Sequence, residues 1–204
     1  IPQCDRAVRA GEWVVLPVGT VLHGRTLGIV GMGRLGTQVA KIASGAFGME
    51  VLAYSRTMTP ERAAAAGARA ASLETVMALS DFVSIHLTLN EGTRGLVSSN
   101  KLRLMQSTAF LINTARAAVT DEATIIDMLQ QRRIAGAALD VFDTEPLPAD
   151  SPLHKLDNVV MTPHIGWPAD AHYEAFSASV AKNILAYLDR GEVPNLENPE
   201  ALKR

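Results

Sequence analysis

Short apolar runs alternate with amphipathic stretches along most of the chain. Leu27-Gly28-Ile29-Val30-Gly31 is apolar and β-prone, and after three glycines Leu35, Val39, Ile42, Ala43 and Phe47 recur at helical spacing, with Gly48 placed as the C-cap. The same pattern predicts strands at 27–31, 50–54, about 67–70, 82–86, 109–113, 135–141 and 158–161. Helix signals fill the intervals. Thr59 caps a helix that opens on Pro60 and runs into the alanines before Gly67, Ser72 precedes Leu73-Glu74-Thr75-Val76-Met77, and Thr120 caps 121–131. That last segment has two acids in its first turn and two arginines at its end, matching the helix dipole. After Pro163 the alternation stops. Residues 170–190 read as one long helix, with Ala171, Ala175, Phe176, Ser179, Val180, Ile184 and Leu188 on or near one face, followed by a polar, proline-containing tail. At the other end, Asp5 to Trp13 reads as the end of a helix. Gly11, Pro17, Gly19 and Gly24 then make an irregular arm whose Trp13, Val14, Val15 and Leu16 need a surface to cover them. Strand alternating with helix is the signature of an α/β protein with a parallel sheet covered on both faces.

Composition narrows the class without changing the fold. The 204 residues suffice for a substantial core, and 48% hydrophobic with 20% charged residues matches globular rather than disordered or fibrous chains. A net charge of -2 gives no electrostatic reason to expect nucleic acid or an anionic membrane surface as partner. No apolar run reaches spanning length and no charged-then-apolar leader precedes the first strand, so a cytoplasmic protein is expected. Cys4 stands alone, which excludes an internal disulfide and a Cys-rich zinc site; no metal is expected.

The glycines between the first strand and its helix carry the first chemical signal. Gly31 lets the chain turn sharply, Gly33 removes a side chain where a pyrophosphate would approach, and Gly36 lets the helix pack close to the strand. The amides of the new helix then face the phosphates with the positive end of the helix dipole. A second strand at 50–54 completes a βαβ unit of the right length, which predicts a dinucleotide site on a doubly wound parallel sheet of the Rossmann type, with about seven strands and a C-terminal helix. About twenty residues past the glycines, where an acid usually holds the ribose hydroxyls of NAD, the chain has Ser55, Arg56 and Thr57. No acid repels a 2'-phosphate there, and Arg56 can pair with one, so NAD or NADP is expected with a preference for NADP.

Ligands of such sheets lie outside the carboxyl ends of the strands. Arg116 follows the strand ending at Asn113, Glu145 the strand ending at Val141, and His164 the strand ending at Met161. Each has a bland reading as a solvated loop residue, a turn cap or a loop donor. Together on one rim they fit hydride chemistry. Hydride transfer at C2 of a hydroxy acid needs a proton to leave or join the oxygen on that carbon, and histidine does this near neutral pH. A carboxylate on the other ring nitrogen fixes the tautomer and favours imidazolium, and a guanidinium matches a substrate carboxylate and polarises a carbonyl.

The same residues resemble a family. Gly24 to Gly36 (GRTLGIVGMGRLG), Asn113-Thr114-Ala115-Arg116, Leu139 to Leu147 (LDVFDTEPL) and Thr162-Pro163-His164-Ile165-Gly166 look like the D-isomer-specific 2-hydroxyacid dehydrogenases, over nearly the whole chain. The resemblance implies that Arg116, Glu145 and His164 are catalytic and that Asp140 sits near the nicotinamide. It also implies that Arg34 and Leu35 meet the pyrophosphate and that His86, Thr88, Thr114, Ala115 and Gly166 join the cofactor contacts. Ala117 stands where the family usually has glycine, and Thr88 where proline is common. The resemblance further implies a small 2-keto or 2-hydroxy acid as substrate and a homodimer that buries the arm at 13–22. On this division 1–26 is a helix end and arm, 27–166 the nucleotide-binding domain, and 167–204 a helix and tail returning to a substrate domain outside this chain. The piece alone is expected to bind nucleotide but turn over poorly. Trp167 is either a wall over the site or packing for the long helix. Some relatives act as cofactor-sensing corepressors, which makes a non-catalytic binding module the alternative. A methyl-donor site would need the acid that is lacking after the second strand.

Overall fold

The computed structural model describes residues 2–13, 19–191, 193, 194, 196, 198 and 200, without the side chains of residues 2 and 3. In chain order the elements are α1 (Pro2–Arg9), β1 (Thr26–Val30), α2 (Arg34–Phe47), β2 (Glu50–Tyr54), α3 (Pro60–Ala64), β3 (Arg69–Ala70) and α4 (Leu73–Leu79). They continue with β4 (Phe82–Ile85), α5 (Ser99–Leu102), β5 (Phe110–Asn113), α6 (Glu122–Gln130), β6 (Gly136–Leu139), β7 (Val159–Met161) and α7 (Asp170–Arg190). The seven strands form one parallel sheet in the order β3-β2-β1-β4-β5-β6-β7. Chain direction across the sheet reverses between β1 and β4, which opens a crevice at their carboxyl ends.

Alternation along the strands sorts the core onto the two faces. Leu27, Ile29, Val51 and Ala53 pack with Ala40 and Ala43 of α2 in one cluster. Val30, Leu52, Val83 and Ile85 join Val76 and Met77 of α4 and Met128 and Leu129 of α6 in the other. Period-two strands between helices on both sides require this division. Below the sheet's opposite end, Asp81 accepts from the Thr26 amide at 2.8 Å and from the Arg25 guanidinium at 3.0 Å, fixing the start of β1 against β4.

Caps explain most boundaries. Thr59 accepts from the Arg62 amide with Pro60 in the first turn, and Ser72 accepts from the Thr75 amide. α2 ends on Gly48 in the left-handed conformation. Five expectations need correction. The cap of α6 is Asp121, whose carboxylate accepts from the Thr124 amide at 2.9 Å, while the Thr120 hydroxyl donates back to the Ala117 carbonyl at 2.9 Å. The two arginines lie beyond that helix, Arg132 in a left-handed turn where it pairs with Asp157. The first helix is Pro2–Arg9 rather than one reaching Trp13, and the third strand shrinks to Arg69–Ala70 because the turn at Gly67 takes the residues before it. The sixth strand stops at Leu139, where β7 stops pairing with it.

The chain divides into two compact units, residues 1–161 and 162–204. The first carries the sheet. The second carries α7, closed by Gly191 in the left-handed conformation; Phe176, Ile184 and Leu188 on its expected apolar face are exposed, at 70%, 54% and 72%. Trp167 is exposed and lies at a tilt against Tyr173 of α7, ring centroids 5.5 Å apart. Of the arm, Trp13 is exposed, and Val14, Val15, Leu16 and Pro17 lie outside the described residues. No helix among the described residues is long and apolar enough to cross a membrane.

Candidate active site

Beyond Val30 the chain turns on Gly31, whose φ of 107° L side chains rarely adopt and whose added Cβ would stand 2.6 Å from the His86 carbonyl oxygen. The Gly31 amide donates to Tyr54 at 2.8 Å and the His86 amide to Val30 at 2.8 Å, so the turn is tied to the ends of β2 and β4. Gly36 presses the first turn of α2 onto that bend: a Cβ there would fall 2.1 Å from the Gly31 carbonyl oxygen. Gly33 is different, since a Cβ on it would meet nothing within 4 Å. As the N-cap of α2 it offers no side-chain oxygen to the amides that follow, and the first turn holds no acid. Open space in front of uncapped amides at a helix N-terminus suits an anion, and the residues present fit the pyrophosphate of a dinucleotide. Arg34 and Leu35 are exposed at the mouth of this turn.

At the end of β2, Ser55 is half-buried and Arg56 and Thr57 are exposed. The Met58 amide closes the turn by donating to the Ser55 carbonyl at 3.0 Å. No carboxylate lies between Ser55 and Pro60.

β4, β5 and β6 end side by side, with Ile85 opposite Asn113 and Asn113 opposite Leu139. His86 is half-buried, its Nε2 2.9 Å from the Ser84 hydroxyl, and burial pushes its pKa below the ordinary histidine value, favouring the neutral ring. Thr88 is exposed, its carbonyl accepting from the Thr93 hydroxyl at 2.7 Å. After β5 the buried Asn113 organises the loop: its Oδ1 accepts from the Ala115 amide at 3.0 Å and its Nδ2 donates to the Arg116 carbonyl at 3.1 Å. That leaves Thr114 and Arg116 exposed, the Arg116 guanidinium donating to the Ala115 carbonyl at 2.6 Å. Asp140 is buried beyond β6, its amide donating to the Asn113 carbonyl at 3.0 Å. Glu145 accepts from the Phe142 amide at 2.9 Å, so it does cap a turn.

Arg116 and Glu145 therefore lie in the loops of neighbouring strands of the first unit. His164 and Gly166 belong to the second unit; the His164 backbone is left-handed (φ 53°) and its amide donates to the Thr162 carbonyl at 3.0 Å. A non-glycine residue in that conformation costs free energy, and such residues cluster at functional sites. Among the described residues no group of three or more His, Cys, Asp or Glu side chains is placed to hold a metal ion.

The parts played by Asn113 and Glu122 escaped the sequence reading. Asn113 shows itself only as a polar end to an apolar strand. Glu122, at the start of α6, accepts from the Asp143 amide at 2.9 Å and so braces the loop that carries Glu145. Partial burial raises its pKa above the ordinary glutamate value, and the charges of Asp143 and Glu145 add to the shift. A carboxyl whose pKa is higher folded than unfolded holds its proton better in the folded state, so its contribution to stability falls as pH rises from the ordinary glutamate range through the raised value. Glu122→Gln keeps an acceptor for the Asp143 amide without the charge. Melts across the acidic range should show the variant gaining on the wild type as pH rises; a constant difference would remove this role.

Residues 1–166 match the model of the family described as D-isomer specific 2-hydroxyacid dehydrogenase, NAD binding domain. The chain is 42% identical over 209 residues to a glyoxylate reductase of Korarchaeum cryptofilum, covering 100% of this chain and 62% of that protein. Among solved structures it is similar to a glyoxylate reductase from Paecilomyes thermophila, with 33% identity, a TM-score of 0.81, and 97% of this chain and 59% of that one covered. It is also similar to an acyclic imino acid reductase in complex with NADPH and D-Arg, with 31% identity, a TM-score of 0.79, and 92% and 59% covered. The chain thus spans about three fifths of the length of the relatives it matches. With the glycine turn, the strand order and this match in agreement, the chain belongs to the NAD-binding domain family of the D-isomer-specific 2-hydroxyacid dehydrogenases.

Proposed function

We propose that this chain is the nucleotide-binding part of an enzyme that moves a hydride between a nicotinamide dinucleotide and C2 of a D-2-hydroxy acid or its 2-keto acid, with glyoxylate and hydroxypyruvate as the first substrates to test. The observation that carries the reading is the rim of one sheet, where uncapped α2 amides, the Arg116 loop and the Glu145 loop all follow carboxyl ends of strands. The bound dinucleotide supplies the nicotinamide ring that gives or takes the hydride. The Arg116 guanidinium pairs with the substrate carboxylate and stabilises negative charge growing on the C2 oxygen. His164 donates the proton to that oxygen in reduction and takes it in oxidation. Glu145 holds the imidazole in the right tautomer and favours its protonated form. Asp140, His86, Thr88, Thr114, Ala115 and Gly166 line the nicotinamide end in this reading, and Gly31, Gly33, Arg34, Leu35 and Gly36 the pyrophosphate.

The cofactor preference follows from the loop after β2. Arg56 with the Ser55 and Thr57 hydroxyls suits a 2'-phosphate, and the absence of a carboxylate there removes the usual ribose clamp of an NAD enzyme. The imino acid reductase that resembles this chain is in complex with NADPH. NADP is therefore the proposed cofactor. The proposed organisation is an arm at 1–26, a nucleotide domain at 27–166 and a C-terminal helix and tail at 167–204, in a cytoplasmic homodimer. A keto-acid panel run on the intact protein tests the reaction. NADPH oxidation with glyoxylate or hydroxypyruvate is expected, faster than with NADH; no oxidation with any 2-keto acid would overturn the assignment.

A further inference from the structure

A second guanidinium is built into the loop that follows β2. Arg62 occupies the first turn of α3, where its amide donates to the Thr59 hydroxyl at 3.3 Å. Its side chain runs back toward the start of the helix, the direction helical side chains favour. One terminal nitrogen donates to both the Thr57 carbonyl, at 2.7 Å, and the Thr57 hydroxyl, at 2.9 Å. The other reaches the carbonyl of Met32 at 3.4 Å. Met32 stands between Gly31 and Gly33, and its side chain is buried. A single cation thus ties the loop at the adenosine end of the site to the turn at its pyrophosphate end.

We propose that Arg62 is a specificity-determining positioning residue, which holds the Ser55-Arg56-Thr57 loop in the conformation that accepts the 2'-phosphate of NADP. This rests on the cofactor reading above and deepens it. Guanidinium nitrogens only donate, so the Thr57 oxygen acts as acceptor toward Arg62 and its own O–H is left to donate outward to a phosphate. The planar fork holds two directions at once, which an ammonium on a flexible stem does not. The Arg62 charge also adds to that of Arg56 in a segment where Glu61 is the sole acid between Ser55 and Ala70. Glu61 is engaged by its own backbone amide and by the Thr59 hydroxyl, at the start of α3.

The test compares two probes, 2',5'-ADP and 5'-AMP, titrated into the wild type, Arg62→Ala and Arg62→Lys, with thermal melts alongside. Arg62 is exposed, so each variant is expected to melt close to the wild type. Wild type should prefer 2',5'-ADP. Arg62→Ala should lose about tenfold in affinity for 2',5'-ADP while 5'-AMP stays within about twofold, and Arg62→Lys should recover only part of the loss. An unchanged ratio of the two affinities in Arg62→Ala, or an equal weakening of both, overturns the role of Arg62 and leaves the cofactor reading standing. Full recovery in Arg62→Lys shows that charge alone suffices and overturns the bridging role. A wild type that prefers 5'-AMP overturns the cofactor reading, and the inference falls with it.

Discussion

Replacing His164 with alanine should cut keto-acid reduction by the intact protein at least about a hundredfold, while the affinity for the dinucleotide stays near that of the wild type. Hydride arriving at C2 leaves an alkoxide unless a proton reaches the oxygen in the same step, and the imidazole is the group assigned to deliver it. Removing it leaves the pyrophosphate turn untouched, because that turn is built from Gly31, Gly33 and the first turn of α2. Since the His164 backbone is left-handed, a second variant separates chemistry from strain. Asparagine tolerates that conformation far better than alanine, so His164→Asn should be as inactive as His164→Ala but melt closer to the wild type. Near-normal turnover in either variant, measured under saturating cofactor, would remove His164 from the reaction.

The second large effect lies at Gly36. Alanine there puts a Cβ 2.1 Å from the Gly31 carbonyl oxygen and 3.3 Å from the side chain of Ile29, which is buried without exposure. Neither the turn nor the strand end yields easily, so α2 must lift. Crowding of this kind costs about 1–3 kcal/mol of stability. The lift also misaims the first-turn amides, and losing one or two charge-assisted hydrogen bonds corresponds to about thirtyfold or more in affinity for NADPH. Gly33→Ala provides the contrast, since its Cβ enters open space. It should melt like the wild type yet bind NADPH more weakly, because the space it fills is the one assigned to the phosphates. Equal binding by Gly33→Ala would show that no ligand approaches that turn.

Much of this was legible from the chain because the deciding interactions are local. The glycine turn and α2 follow from three glycines ahead of a helical period, and the caps at Thr59 and Ser72 from a hydroxyl residue just before a helix. Where two capping residues adjoin, the pattern does not choose. Thr120 and Asp121 are both good caps, and the structure uses the carboxylate because a three-residue 3-10 turn at Ala117–Val119 already engages the Thr120 hydroxyl. Strand ends fail for a similar reason: the apolar Val141 and Phe142 resume just past Asp140, yet the strand ends at Leu139, where its neighbour β7 does. The residues missed at the site act at long range or on the backbone. Arg62 finds the Met32 carbonyl across thirty positions, and Glu122 finds the Asp143 amide across twenty-one. Asn113 works through amides and carbonyls that no side-chain pattern reveals.

The destination of the hydride decides whether this chemistry operates. Incubating the intact protein with hydroxypyruvate and NADPH deuterated at the transferable position of nicotinamide C4 should yield the D-hydroxy acid with deuterium on C2. Product carrying no deuterium at C2, or of the L configuration, would contradict it.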